Sequence, residues 1–235
     1  MLEIGIKILI WLVPVVTAIT LHEVAHGAAA YHLGDATAKR AGRLSINPFK
    51  HIDPVGSLFI PVFLFWFSGF IFGWAKPVPV NQKNLNYPDR DIIWVALAGP
   101  IANFFMSIIW AVIMKLGYVI SGIQPDIGSI FIYMGAAGIF INAAIMILNL
   151  LPLPPLDGGR IFRGLLPKQY GLILGKVEPW GLLILLVMIF AGVIAKIVWP
   201  LMVVEMAAVT YLVDTPAGLF LNALRYLLGD SDLVS

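Results

Sequence analysis

Cysteine is absent from the 235 residues, and charge is scarce. Without a thiol there is no disulfide and no thiolate-bound zinc. Asp, Glu, Lys and Arg make up 12% of the chain, about half the roughly 25% of a soluble domain. With 60% hydrophobic residues, that deficit describes an integral membrane protein with little room for a soluble domain. A net charge of +2 and the lack of any basic tract speak against a nucleic-acid partner. No repeat or low-complexity linker divides the sequence, so one membrane domain over 1–235 is expected.

Apolar runs of about 20 residues mark spanning helices. Six segments compete: 4–32, 56–74, 92–114, 127 to about 150, about 180–195, and about 198–224. The last is interrupted by Pro200, Glu205, Asp214 and Pro216. Lys7 followed by an apolar run has the look of a secretory leader. Cleavage after that run would fall in or near the HExxH pattern described below, so the segment is read as part of the protein.

The loops carry orientation. Lys39, Arg40, Arg43 and Lys50 follow the first segment, and Lys76, Lys83 and Arg90 follow the second. The stretch 117–126 has no Lys or Arg, whereas Arg160, Arg163 and Lys168 follow the fourth segment. Positive loops prefer the cytoplasm. If every segment spanned, the first two positive loops would lie on opposite sides. The conflict disappears if 56–74 does not cross but is re-entrant or packed within the protein. The chain then enters from outside and His22 lies toward the cytoplasmic end. Glycines and prolines between Ala41 and Asn81 predict short strands or extended loops near the membrane surface.

The stretch TAITLHEVAHGAAA closes the first apolar run with His22, Glu23 and His26. On a helix, i and i+4 share a face. His22 and His26 can therefore hold one metal ion while Glu23 acts on a metal-bound water, which is the mechanical content of HExxH. Zinc lowers the pKa of such a water to about 7, and a carboxylate takes its proton. The bland alternative is a pair of histidines hydrogen-bonded at a helix end. Ionisable groups at membrane depth favour the functional reading.

A catalytic zinc site takes three protein ligands and keeps one open position. His32 points off the metal face and His51 lies in a polar loop. The better candidate is Asp157 in NLLPLPPLDGGR, directly after a long uncharged segment. The prolines force an extended backbone, and Gly158 and Gly159 let it pass close to another element. The alternative is an Asp that caps a helix starting near Gly158.

HEVAH at the end of one apolar helix and LDGG after a Pro-rich stretch resemble the site-2 protease family of intramembrane zinc metalloproteases, peptidase family M50. INPFKHIDPVG, GWAKPVPVN, LAGPIAN and NLLPLPPLDGG are similar to that family as well. The resemblance implies one zinc ion per chain, held by His22, His26 and Asp157, with Glu23 as general base. It also implies a catalytic core over about 1–166 built on the first, third and fourth segments, C-terminal helices over about 170–228, and a metal near the cytosolic side of a prokaryotic plasma membrane. The substrate would be a transmembrane-helix protein within the bilayer. Nothing matches a PDZ or CBS domain, so a minimal member is expected.

The expected fold is therefore an all-α polytopic membrane protein. It has about five to six transmembrane helices, a short membrane-associated β or extended region and a possible re-entrant segment. Asn103, Asn142 and Asn149 are candidates for substrate binding or site support, against plain helix–helix hydrogen bonding. His51, Asp53, Glu205 and Asp214 are read as structural or water-facing. An exposed strand within 41–60 is a candidate for holding an unwound substrate. Two other functions use the same residues: a non-proteolytic adaptor of the same fold, and a metal transporter that would not need Glu23.

Overall fold

The computed structural model describes residues 4–68, 73, 75–216 and 218–229, and among them the chain is helical with no strand. The helices are α1 Ile4–His32, α2 Thr37–Arg40, α3 Ile60–Ser68, α4 Pro88–Ser121, α5 Pro125–Asn149, α6 Asp157–Leu165, α7 Lys168–Val177, α8 Gly181–Phe190, α9 Val193–Leu212 and α10 Leu219–Leu228. Five stretches are long and apolar enough to cross a membrane: Gly5–His32, Pro88–Ser121, Pro125–Asn149, Gln169–Phe190 and Val193–Leu212. The fold is an all-α polytopic membrane architecture.

α4 and α5 form its spine. Each starts with a proline in the first turn, where a missing N–H costs nothing. Asp91, fully buried, accepts the Tyr87 N–H at 2.9 Å and anchors the start of α4. The short connection 122–124 makes the two helices an antiparallel hairpin. Trp110 and Met114 of α4 pack with Ala136, Ile139 and Ala143 of α5, and Met202, Met206 and Val209 of α9 close the cluster. Lipid gives apolar helices no hydrophobic reason to associate, so this seam rests on close packing.

α1 lies against both spine helices and runs antiparallel to α4. The Asn86 N–H donates to Leu33 O at 2.8 Å, so the end of α1 meets the start of α4. At its other end, Lys7 Nζ lies 5.0 Å over the Tyr226 ring, which stacks on Tyr133 of α5. The chain over 33–87 therefore leaves and returns on one side. The π-helical turn Pro54–Phe59 and α3 occupy part of that excursion. Together they reach roughly 22 Å at 1.5 Å per residue, short of a bilayer core of about 30 Å. The described part of 56–74 is not among the five candidate spans. Positions 69–72 and 74 of it lie outside the described residues.

Three expectations need correction. The region 41–60 holds turns, a 3-10 helix at Pro48–Lys50 and the π-helical turn, not a strand; Pro48 and Pro54 each start a helical turn there, capped by Asn47 and Asp53. The chain after position 74 runs to Asn81 without helix or strand, and the alternating prolines of KPVPVN restrict it to extended backbone. The break between the last two long helices falls at Gly192, which takes φ +71°, so α9 begins at Val193, contains Pro200 and ends at Leu212. Glu205 does not face water. It sits mid-helix in α9, only 7% exposed. Asp214, by contrast, is exposed and pairs with Lys115 at 3.4 Å.

Candidate metal centre

Three helices deliver the site. His22 and His26 project from the last turns of α1, one turn apart as HExxH requires. Asp157 arrives at the first turn of α6, after a turn-rich stretch that contains a cis Pro154–Pro155 peptide. It does not cap that helix. Its Oδ2 lies 3.1 Å from both His22 Nε2 and His26 Nε2, which are themselves 3.0 Å apart. All three residues are buried.

Tight backbone approach makes this possible. A Cβ on Gly158 would collide with the Leu150 and Leu151 carbonyl region, so the glycine lets the head of α6 fold back on the turn that precedes it. On α4, a Cβ on Gly99 would fall within 2.6 Å of His22 Nε2 and closer still to His26 Nε2. The third wall of the centre is thus a bare backbone.

The imidazole tautomers follow from a chain of amides. The Gly138 carbonyl can only accept, so Asn142 turns Nδ2 toward it at 2.8 Å. Asn142 Oδ1 then accepts Asn103 Nδ2 at 2.8 Å, which leaves Asn103 Oδ1 to accept the Nδ1–H of His22 at 2.5 Å. Val95 O accepts the Nδ1–H of His26 at 2.7 Å. In their neutral form the two imidazoles then carry no proton on Nε2. With Asp157 ionised, three acceptors converge on one point, and a metal cation or a proton on an Nε2 relieves their repulsion. Tetrahedral zinc at 2.0–2.1 Å from N and O donors sets its ligands roughly 3.3 Å apart, near the 3.0–3.1 Å seen here. Donor type, tautomer and spacing all fit a zinc ion.

A cavity of about 130 Å³ opens onto the three ligands, room for several waters. Glu23 lines it, and its Oε2 accepts the Val78 N–H at 2.7 Å. Asn149, Pro155 and Arg160 line it as well. Asn149 directs Nδ2 to Ile145 O at 2.9 Å, so its carbonyl oxygen is free for the cavity. The structure therefore separates the three asparagines. Asn103 and Asn142 support His22 from behind, and only Asn149 reaches the cavity.

His51 and Asp53 do not line it. His51 donates Nε2–H to Ser45 O at 2.8 Å, and Asp53 accepts Val55 and Gly56 N–H groups at the start of the π-helical turn. Three contributors escaped sequence reasoning. Val78 acts through its backbone, Arg160 was read only as a loop charge, and Asp35 drew no attention. Asp35 is fully buried and accepts from Thr37, Asn81 and Asn84, which ties the end of α1 to the extended chain over the cavity. Burial pushes its carboxyl up, but the hydrogen bonds from Thr37, Asn84 and Asn81 outweigh that and hold it below the usual range. The alternating prolines of PVPV were the one sequence signal for a rigid extended chain at Val78.

A model of peptidase family M50 matches residues 113–192, which include Asp157 but not the two histidines. The chain is 33% identical over 195 residues to "Putative zinc metalloprotease YwhC" of Bacillus subtilis (strain 168), covering 81% of this chain and 84% of that one. It is 29% identical over 189 residues to "Putative zinc metalloprotease Rip2" of Mycolicibacterium smegmatis, covering 79% and 68%. The like-named protein of Mycobacterium tuberculosis (strain H37Rv) is 27% identical over 182 residues, covering 77% and 65%. No solved structure matches.

Proposed function

The chain belongs to peptidase family M50, and from that premise we propose that it is an intramembrane zinc metalloprotease of site-2 type, which hydrolyses peptide bonds within or near transmembrane segments of other membrane proteins. The observation that carries this reading is the convergence of His22 Nε2, His26 Nε2 and Asp157 Oδ2 beside Glu23 in a cavity set among apolar helices. His22, His26 and Asp157 are the proposed ligands of one zinc ion per chain. When bound, zinc supplies an acidified water and a Lewis acid for the scissile carbonyl.

The chain's own residues do the rest. Asn103 and Val95 O hold the imidazoles so that Nε2 faces the ligand position. Glu23 takes a proton from the attacking water and returns it to the departing amine nitrogen. The Val78 N–H fixes one carboxylate oxygen of Glu23 and leaves the other to carry that proton.

A substrate helix hides its carbonyls in hydrogen bonds, so it must unwind to be cut. The extended chain at 77–80 and the free amide oxygen of Asn149 are the proposed supports for the unwound stretch. Among the described residues, neither Val78 O nor Val80 N–H has a hydrogen-bond partner, so they offer a short edge.

The end of α1, the start of α4 and the chain after α5 share one side with Lys39, Arg40, Arg43, Lys76, Lys83 and Arg160, while the 122–124 turn lacks a cation. That bias supports an active site toward the cytoplasm. We assign 1–166 to the catalytic core and the later helices to its support.

The test is cleavage of a model transmembrane substrate in liposomes by the wild type and by Glu23→Gln, with zinc measured in both. The expected result is cleavage by the wild type alone, with zinc retained by both. Equal cleavage by the two would remove Glu23 from the mechanism. A zinc-loaded wild type that cleaves nothing would end the protease reading.

A further inference from the structure

We infer that Arg160 is the side chain that stabilises the negative charge developing on the scissile carbonyl oxygen. The inference rests on the protease reading above and adds a catalytic residue to it.

The first ground is elimination among donors. Peptide hydrolysis forms a bond from the water oxygen to the carbonyl carbon. The π pair moves onto the carbonyl oxygen, and it returns when the C–N bond breaks and Glu23 protonates the amine. A hydrogen-bond donor aimed at that oxygen helps only if it is not already engaged. Asn103 is fully buried, with both amide atoms engaged by His22 and Asn142. Asn149 directs its NH2 to Ile145 O. The Val78 N–H is held by Glu23, and Pro77 and Pro155 have none. The Val80 N–H is proposed above for the edge that holds the unwound substrate, and among the described residues Arg160 is the one side chain lining the cavity with uncommitted donors.

The second ground is position. Arg160 Nη1 lies 3.7 Å from Asp157 Oδ1, whereas Asp157 Oδ2 faces the two histidines. The guanidinium therefore sits immediately beside the ligand cluster, in ion-pair range but beyond a direct hydrogen bond. Its side chain is 48% exposed, lines the cavity and has no other partner among the described residues.

The experiment compares the wild type with Arg160→Gln and Arg160→Lys in three readouts: cleavage of the model substrate, zinc affinity of the metal-stripped protein, and affinity for a phosphinic peptide that mimics the tetrahedral transition state. Arg160→Gln is expected to lower kcat by about 10²–10³-fold. Phosphinate affinity should fall in step, KM should change little and zinc affinity should stay within a few-fold. Arg160→Lys should recover part of both losses by restoring the charge. Arg160→Gln that cleaves like the wild type overturns the inference. So does zinc affinity falling as far as kcat, which would make Arg160 a support for Asp157 only. If the zinc-loaded wild type itself cleaves nothing, the protease reading fails and this inference falls with it.

Discussion

Gly99→Ala is the smallest change that reaches the metal centre without touching a proposed ligand. The added methyl would stand 2.6 Å from His22 Nε2 and nearer to His26 Nε2. Non-bonded heavy atoms settle at roughly 3.5 Å or more, so the His22 ring must retreat by about 0.9 Å and the His26 ring by more. They cannot do so freely, because each is tethered through Nδ1, to Asn103 Oδ1 and to Val95 O. The retreat opens the Nε2 pair and breaks its alignment with Asp157. Loss of such orientation typically costs 10–100-fold in metal affinity, about 1.4–2.7 kcal/mol. A misplacement near 1 Å costs about 10²-fold in rate. The fold should survive. Alanine gains roughly 1 kcal/mol over glycine within a helix, which offsets part of the roughly 1–3 kcal/mol of overpacking. Zinc titration of the stripped protein, cleavage rate and thermal unfolding in detergent measure the three quantities. Gly5→Ala is the control, since a methyl there meets nothing within 4 Å. If Gly99→Ala binds zinc as tightly as the wild type and cleaves as fast, the ligand cluster is not where we place it.

Two further outcomes follow from the same geometry. Asn103→Leu removes the acceptor of the His22 Nδ1–H and leaves Asn142 without its donor; zinc affinity should drop 10–100-fold, and isothermal titration would show it, unchanged affinity counting against the amide chain. Asp35→Asn keeps the shape of the loop anchor but loses the charge that its donors favour. Because the folded Asp35 carboxyl lies below its unfolded range near 3.9, its stabilisation is present above that range and lost as pH falls through the folded value. The wild type should therefore lose thermal stability below about pH 4 more steeply than Asp35→Asn, and parallel melting curves would refute this.

What could be read from the sequence was whatever local pattern decides. An uncharged run and HExxH place two histidines on one face of α1 without any knowledge of the fold. Asp157 could be singled out because a carboxylate after a long apolar segment needs a reason to be there. The three asparagines could not be sorted, since their roles depend on which amide meets the Gly138 carbonyl, a fact of helix packing. Position 41–60 misled for a related reason. Glycine and proline mark where regular helix stops, but not whether a strand, a turn or a π-helical turn follows. The Gly192 break was hidden in one long apolar run, where lipid-facing residues leave no periodicity to locate a boundary. Glu205 was misplaced because a charge inside such a run looks like its end. Val78 acts through a backbone N–H over 55 residues from Glu23, which no side-chain pattern reports.

The charges around the cavity explain why groups so costly in lipid are tolerated together. Glu23 and Asp157 are carboxylates, Arg160 is a guanidinium, and the two imidazoles are neutral in the tautomers that Asn103 and Val95 O impose. Without a cation the cluster carries one net negative charge, and the three ligand acceptors repel. A divalent ion reverses that to one net positive charge. Attack moves charge without changing that total: Glu23 becomes neutral as it takes the proton of the water, and one negative charge builds on the carbonyl oxygen. The negative charge thus passes from Glu23 to an oxygen between the ligand cluster and Arg160, where a low-dielectric site makes a nearby positive charge count most. Removing Arg160 takes away a positive charge beside the place where that negative charge builds, so its loss should weigh on kcat more than on zinc or substrate binding.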